Sequence, residues 1–391
     1  MTKVTRYAGL LERELPAILA MAERSVNLDS GSYLASGVNA VIDIWGGMLR
    51  GLGFAVERTP LPGFGDQMTA RLALGGSGKR LLVLGHADTV WPAGVAAEWP
   101  FARDGDRITG PGVGDMKTNV VMALHALKVL LAEGALGGLA SVTVLIVPDE
   151  EIGSPGSRAW IEAEAMQADL CLTLEPCRPN GGIVIGRGAV GAVYIAATGV
   201  TAHCGSALEK GASAVRALAA LVGPLEALGD PPNGLSATVG IFKGGEARQV
   251  VPGSAEIHLD LRAPDDAAGE TLLAAVRRVV ETTPRDPRVT VGLRGGFTRP
   301  AFPTHAGTEA LFALAQEFGA TLGAPVFALV SRGGSDGSFA ARLGVPTLDG
   351  LGPITHETCS RREHVEVSSI VPRGTILAGL MAAAAAGRIT R

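Results

Sequence analysis

Short apolar runs that stop abruptly at polar residues alternate, in the first half of the chain, with longer stretches whose apolar side chains recur every three or four positions. Leu81 to Leu84 runs into Gly85-His86, Val142 to Val147 into Pro148-Asp149-Glu150-Glu151, and Leu170 to Leu174 into Glu175. Runs this short and this apolar predict strands covered on both faces. Between them, Lys117 to Ala132 carries Val120, Val121, Leu124, Leu127 and Leu131 on one helical face, and Ser157 to Ala168 predicts a second helix. The alternation predicts an α/β fold, a central and mostly parallel sheet flanked by helices. Ligands of such open sheets sit off the carboxyl ends of the strands. His86, Glu150, Glu151 and Glu175 all fall there, so the pattern alone gathers them into one site.

The middle of the chain has another rhythm. Strands are predicted over 190–199, 236–241, 255–261 and 289–293, the third alternating Ile257, Leu259 and Leu261, with helices over 212–228 and 270–283. The order βαββαβ is ferredoxin-like. It predicts an inserted α+β domain over 189–298, with Gly186-Arg187-Gly188 and Arg294-Gly295-Gly296 as its hinges. Residues 1–188 and 299–391 then form the first domain, which regains His356 and a final helix.

Composition narrows the class. A chain of 391 residues is long enough for two domains, and 47% hydrophobic against 18% charged residues favours a large core over disorder. A net charge of −4 gives no footprint for nucleic acid. The four cysteines, Cys171, Cys177, Cys204 and Cys359, form no C-x-x-C pair, which predicts a reducing compartment and no disulfide framework. Glu12, Arg13 and Glu14 interrupt any signal-peptide core, and the longest apolar stretch, Gly374 to Gly387, is too short to span a bilayer. The expectation is a soluble cytoplasmic protein with no membrane partner.

The polar residues supply candidate chemistry. His86-Ala87-Asp88 places a strand-end imidazole beside a carboxylate that can hold its second ring nitrogen. Asp115 lies in Gly110-Pro111-Gly112-Val113-Gly114-Asp115, where dense glycine permits close backbone approach. Glu150 and Glu151 are adjacent carboxylates that repel unless a cation or proton intervenes. Glu175 follows a strand whose depth demands a partner, and His356 follows the Gly352-Pro353 loop. Each is modest alone: a capped turn accounts for Asp115, and a surface loop accounts for His356. Together, two histidines and three carboxylates suit two divalent cations roughly 3.5–4 Å apart that activate a water, with one more carboxylate as base.

The order HADTV, GPGVGDMK, PDEEIGS, LEP and ITHE, split by a ferredoxin-like insert, resembles the M20 metallopeptidases, and most of all their glutamate carboxypeptidase branch. The resemblance runs from about Leu11 to the last helix. It implies a zinc-exopeptidase-like catalytic domain and an inserted domain that serves as lid and dimerisation surface. It also implies two divalent metals, usually zinc, with Asp115 bridging, His86 and Glu175 completing one site, and Glu151 and His356 the other. Glu150 would be the general base and Asp88 would orient His86. A cis peptide bond is implied at Asp115-Met116. In the insert, Ala202-His203-Cys204-Gly205 retains the histidine of a Ser-His-Ala-Gly-like motif, so His203 would stabilise the oxyanion, often from a partner subunit. Gln249 stands where relatives have asparagine, Arg262 would clamp a substrate carboxylate, and Gly334 belongs to a Gly-rich loop near that carboxylate. The stretch Cys177 to Gly188 offers Arg178 and Arg187 where folate-cleaving relatives carry a basic residue, and Arg187 is kept as a substrate-binding candidate.

The function implied is hydrolysis of an amide next to a free carboxylate, in a small peptide or N-acyl amino acid, by a homodimer. An N-acyl-amino-acid deacylase uses the same centre on another acyl group. A non-catalytic metal-binding homologue is disfavoured because every chemical position is present. A thiol hydrolase built on Cys204 and His203 is disfavoured because adjacent residues seldom give the needed geometry.

Overall fold

The computed structural model describes residues 2–389. The chain forms two compact units. One runs through Gly186 and resumes over Pro303–Val330 and from Ser335 onward, and the other comprises Arg187–Phe302 with Ser331–Gly334.

The first unit is built on a six-stranded sheet. Its strands are β1 (Ala55–Pro60), β2 (Asp66–Ala73), β3 (Arg80–His86), β4 (Ser141–Val147), β5 (Leu170–Thr173) and the short Thr347–Leu348, in the order β1-β2-β4-β3-β5 and then Thr347–Leu348. From β4 onward neighbours are parallel, while β1 and β2 run antiparallel along one edge. The helices α1 (Lys3–Val26), α2 (Ala35–Gly51), α3 (Thr118–Ala132) and α4 (Arg158–Gln167) cover it. Alternation along β3 divides the core in two. Leu81 and Val83 join Trp45, Val121 and Leu124 in one cluster, and Leu82 and Leu84 meet Ile161 and Ala165 in another. Both faces of the strand are thus dry, which is why it reads as an unbroken apolar run.

The second unit is a four-stranded antiparallel sheet with two helices. In chain order it reads β6 (Ala189–Thr198), α5 (Ala214–Glu226), β7 (Ser236–Gly244), β8 (Ser254–Ala263), α6 (Asp266–Thr282) and β9 (Thr290–Arg299), arranged as β7-β8-β6-β9. This is the ferredoxin-like order expected of the insert. Every second residue of β6 and β8 faces a core shared with Leu218, Leu221, Val276 and Val280. Ser213 and Asp265 start the helices, accepting from the amides of Arg216 and Ala268 at 3.1 and 2.8 Å. The segment Arg294-Gly295-Gly296 is not a hinge: it lies inside β9, where Gly295 takes φ +97° and a side chain there would meet the Ala192 carbonyl at 2.3 Å.

After the insert, α7 (Ala306–Thr321) and α8 (Val367–Ala385) complete the first unit. The last helix starts earlier than its apolar stretch predicts and carries Pro372 inside it. Among the described residues it is the one helix long and apolar enough to cross a membrane, yet 78% of that window is buried within the fold, as in a core helix. A small sheet pairs Thr355–His356 with His364–Glu366, and that strand with Arg107–Thr109.

Candidate metal centre

The strands β4, β3 and β5 are neighbours and parallel, so their carboxyl ends deliver His86, the Glu150-Glu151 pair and Glu175 to one edge of the sheet. The Asp115 turn meets them from the start of α3. Donor atoms of His86, Asp115 and Glu151 lie within 4.8 Å of one another, and so do those of His86, Glu150 and Glu175. His86 is the shared member: its Nε2 stands 3.2 Å from Asp115 Oδ1 and 4.0 Å from Glu175 Oε1.

Asp88 holds the arrangement together from behind. It is fully buried and lies beside His86 Nδ1, 3.0 Å from that nitrogen through its carbonyl and 3.4 Å through Oδ1. Its Oδ1 also accepts from the Glu150 amide at 3.1 Å, and its Oδ2 from the Glu151 amide at 3.1 Å and the Ser32 hydroxyl at 2.6 Å. One carboxylate therefore fixes the histidine and the backbone that carries both glutamates, a wider task than orienting His86. Asp149 braces the following turn, accepting from the Gly156 amide at 2.6 Å and from the Ser157 hydroxyl.

The Asp115 turn is set by shape as well as charge. A side chain at Gly114 would meet Thr355 at 2.2 Å, so glycine lets the two segments touch. The Asp115-Met116 peptide is cis, as expected. Glu363 clamps the turn: one carboxylate oxygen accepts from the Gly114 and Asp115 amides at 2.8 and 3.2 Å, the other from Cys359 at 3.1 Å. Burial, with the Asp115 charge adding, raises its carboxyl to about 7. Ser32 and Glu363 were not candidates on sequence. Each acts across a long stretch of chain and neither sits in a recognisable local pattern.

The electrostatics favour cations. Burial, and then the neighbouring carboxylates, push Glu151 and Glu175 well above the usual carboxylate range. Burial pulls the His86 imidazolium down, but Asp115, Asp88 and Glu150 outweigh it and raise the group well above its usual value. Carboxylates this close ionise together only when positive charge enters. The imidazole of His86 and the carboxylates of Asp115, Glu151 and Glu175 form a donor set suited to zinc, cobalt or manganese, with the Glu150 carboxylate close to them. His86, Asp115, Glu151 and Glu175 fit a divalent cation, while the second histidine expected in the set, His356, lies outside the group.

Other candidates lie elsewhere. His356 is not in the cluster: its Nε2 is 2.7 Å from Glu366 Oε1 and its ring stacks on His364 at 4.5 Å. Within the second unit, His203 Nδ1 accepts from the Gly205 and Ser206 amides at 3.0 and 3.2 Å, which leaves Nε2 as the N–H donor. The Gln249 carbonyl accepts from Cys204 at 2.9 Å, so these two segments lie side by side. Arg262 is held by Asp260 through Nε and Nη2, both at 2.8 Å, and its Nη1 donates to the Arg332 carbonyl at 3.1 Å. Arg187 is buried and donates to the carbonyls of Gly333 and Gly334 at 2.9 and 3.2 Å, bracing the Gly-rich loop.

Fold and cluster together define a metal-dependent hydrolase. Residues 82–383 match the model of peptidase family M20/M25/M40. The chain is 32% identical to carboxypeptidase G2 of Pseudomonas sp. (strain RS-16) over 96% of its own length and 91% of the relative's. It is 30% identical to a succinyl-diaminopimelate desuccinylase of Gluconobacter oxydans (strain 621H), over 90% and 93% of the two chains. Among solved structures, the fold is similar to an M20 family metallo-carboxypeptidase of Sulfolobus solfataricus, with a TM-score of 0.78, 16% identity and 94% and 99% of the chains covered. The chain belongs to peptidase family M20/M25/M40, and it is an enzyme that hydrolyses amide bonds.

Proposed function

We propose that this enzyme cleaves an amide next to a free carboxylate, as an exopeptidase of the glutamate carboxypeptidase type, and that Asp115, His86, Glu151, Glu175 and His356 would hold two divalent ions, expected to be zinc. The observation that carries this reading is the convergence of His86, Asp115, Glu150, Glu151 and Glu175 within reach of common ions. His356 joins the set by resemblance alone, and doing so requires its ring to leave Glu366. Bound divalent ions would lower the pKa of a water toward neutrality.

The chain's own groups do the rest. Glu150, buried and beside the cluster, takes the proton of that water and passes it to the leaving amine. His203 offers its Nε2–H to the developing oxyanion. Arg262, with Gln249 and the Gly334 loop, holds the substrate carboxylate, which would exchange with Asp260 on the guanidinium. Homodimerisation through the insert is part of the proposal: β7 is an edge strand that leaves Ile241 and Phe242 exposed.

The similarity to a desuccinylase supports a second reading, deacylation of an N-acyl amino acid by the same centre. A panel of dipeptides and N-acyl amino acids, assayed after chelation and after zinc return, separates the two. Glu150→Gln is expected to keep the fold and bound zinc while turnover falls roughly 10²–10⁴-fold. Full activity in that variant would remove Glu150 as base.

A further inference from the structure

The two oxygens of the Asp115 carboxylate face different donors. Oδ1 stands 3.2 Å from His86 Nε2, and Oδ2 accepts from the Cys359 thiol at 3.8 Å. A carboxylate shared by two ions about 3.5–4 Å apart turns one oxygen to each in this way. The sulfur distance also suits a common ion. Donors bound to zinc at about 2.3 Å for sulfur and 2.1 Å for oxygen stand about 3.6 Å apart at the tetrahedral angle. Glu151 completes a group with Asp115 and His86, so a further carboxylate is at hand.

The main chain holds the sulfur in place. While one Glu363 oxygen takes the amides of Gly114 and Asp115, the other takes the Cys359 amide at 3.1 Å. One buried carboxylate thus fixes the backbone on both sides of the thiol–carboxylate contact. Cys359 has φ +59°, a conformation that glycine or asparagine enters at less cost, yet the position carries a thiol. Its side chain is exposed and in no disulfide, so an arriving ion can meet it, whereas Cys171 and Cys177 are buried. His356, in the short strand just before, is engaged elsewhere: it pairs in register with His364, and its Nε2 meets Glu366 at 2.7 Å.

Resting on the two-ion reading above, and changing one ligand of it, we infer that the Cys359 thiolate binds the ion on the Oδ2 side of Asp115 together with Glu151, while His356 stays on Glu366. The thiol releases its proton to solvent as the ion binds. A sulfur donor biases that ion toward zinc over manganese. The test titrates cobalt(II) into chelator-treated, full-length enzyme and follows its absorption. Wild type is expected to develop the near-ultraviolet sulfur-to-cobalt charge-transfer band along with the weaker visible bands. Cys359→Ser loses the sulfur band but keeps visible bands from the ion on the His86 side. Its affinity for the other ion falls at least about 100-fold, more than removing an orienting partner costs. Cys204→Ser and His356→Asn keep the band. A second measurement needs no substitution: a thiol-alkylating reagent labels Cys359 in the chelated wild type, and returned zinc protects it, as read by peptide mass mapping. Cobalt bound without a sulfur band, a band that survives Cys359→Ser, labelling indifferent to zinc, or loss of the ion in His356→Asn each overturns the inference and leaves the two-ion reading standing. Failure to bind cobalt or zinc at all overturns both.

Discussion

At the scale of single residues, the side chain doing most for the Asp115 turn is Glu363, which gathers three backbone amides onto one buried carboxylate. Glu363→Gln keeps the volume but presents an amide N–H₂ where one of those amides donates. Zinc affinity is expected to drop roughly 10–100-fold, as for other partners that orient metal ligands. Competition with a chromophoric chelator measures it, and unchanged affinity with an intact far-ultraviolet spectrum would reduce Glu363 to a bystander. The ligands themselves were legible because carboxylates and a histidine ending apolar runs are conspicuous. Glu363 and Ser32 were not, since their partners lie 248 and 56 residues away and no periodicity marks them. His356 shows the opposite case: its motif is legible, yet its ring rests on Glu366.

At the scale of elements, strands buried on both faces announced themselves, whereas the half-exposed β1 and β2 hairpin did not, because Ala55–Pro60 mixes charges and proline into a short edge strand. The packing of α1 on α3 carries a pH dependence of its own. Glu14 lies 2.7 Å from His125 Nδ1 and 2.8 Å from Lys128 Nζ. Burial raises the Glu14 carboxyl, but the hydrogen bonds from Lys128 and His125 outweigh it and leave it lowered from 4.5. Burial also lowers His125 from 6.5. Both shifts mean that the unfolded chain binds more protons, so stability rises with pH through this range. The Glu14 share is complete above 4.5 and disappears as pH falls through its depressed value. Thermal denaturation is expected to show wild type above Glu14→Gln at neutral pH, with the gap closing below pH 4. A gap constant down to pH 3 would count against the pairing.

At the scale of the whole molecule, the candidate site exists only because segments around residues 86, 115, 150 and 175 close on one sheet edge. Bound cations would fasten three adjacent strand ends and relieve the repulsion of their carboxylates. Ligand linkage at 1,000-fold over Kd amounts to about 4 kcal/mol, or roughly 10 °C for a unit of this size. Chelation is therefore expected to lower the melting temperature by about that much, with zinc restoring it, and a melting temperature indifferent to chelator would argue against divalent ions at this edge. The insert's βαββαβ order was legible from its alternating strands, but its exit was not, because Gly295 and Gly296 resemble a linker while serving inside β9. The grip of Asp88 on the amides of Glu150 and Glu151 has one more consequence. With their main chain pinned, these glutamates cannot advance or retreat, so exchanging either for aspartate withdraws its oxygens by about 1.5 Å with nothing to make up the distance. Reach, more than sign of charge, is what evolution would be unable to vary at those two positions.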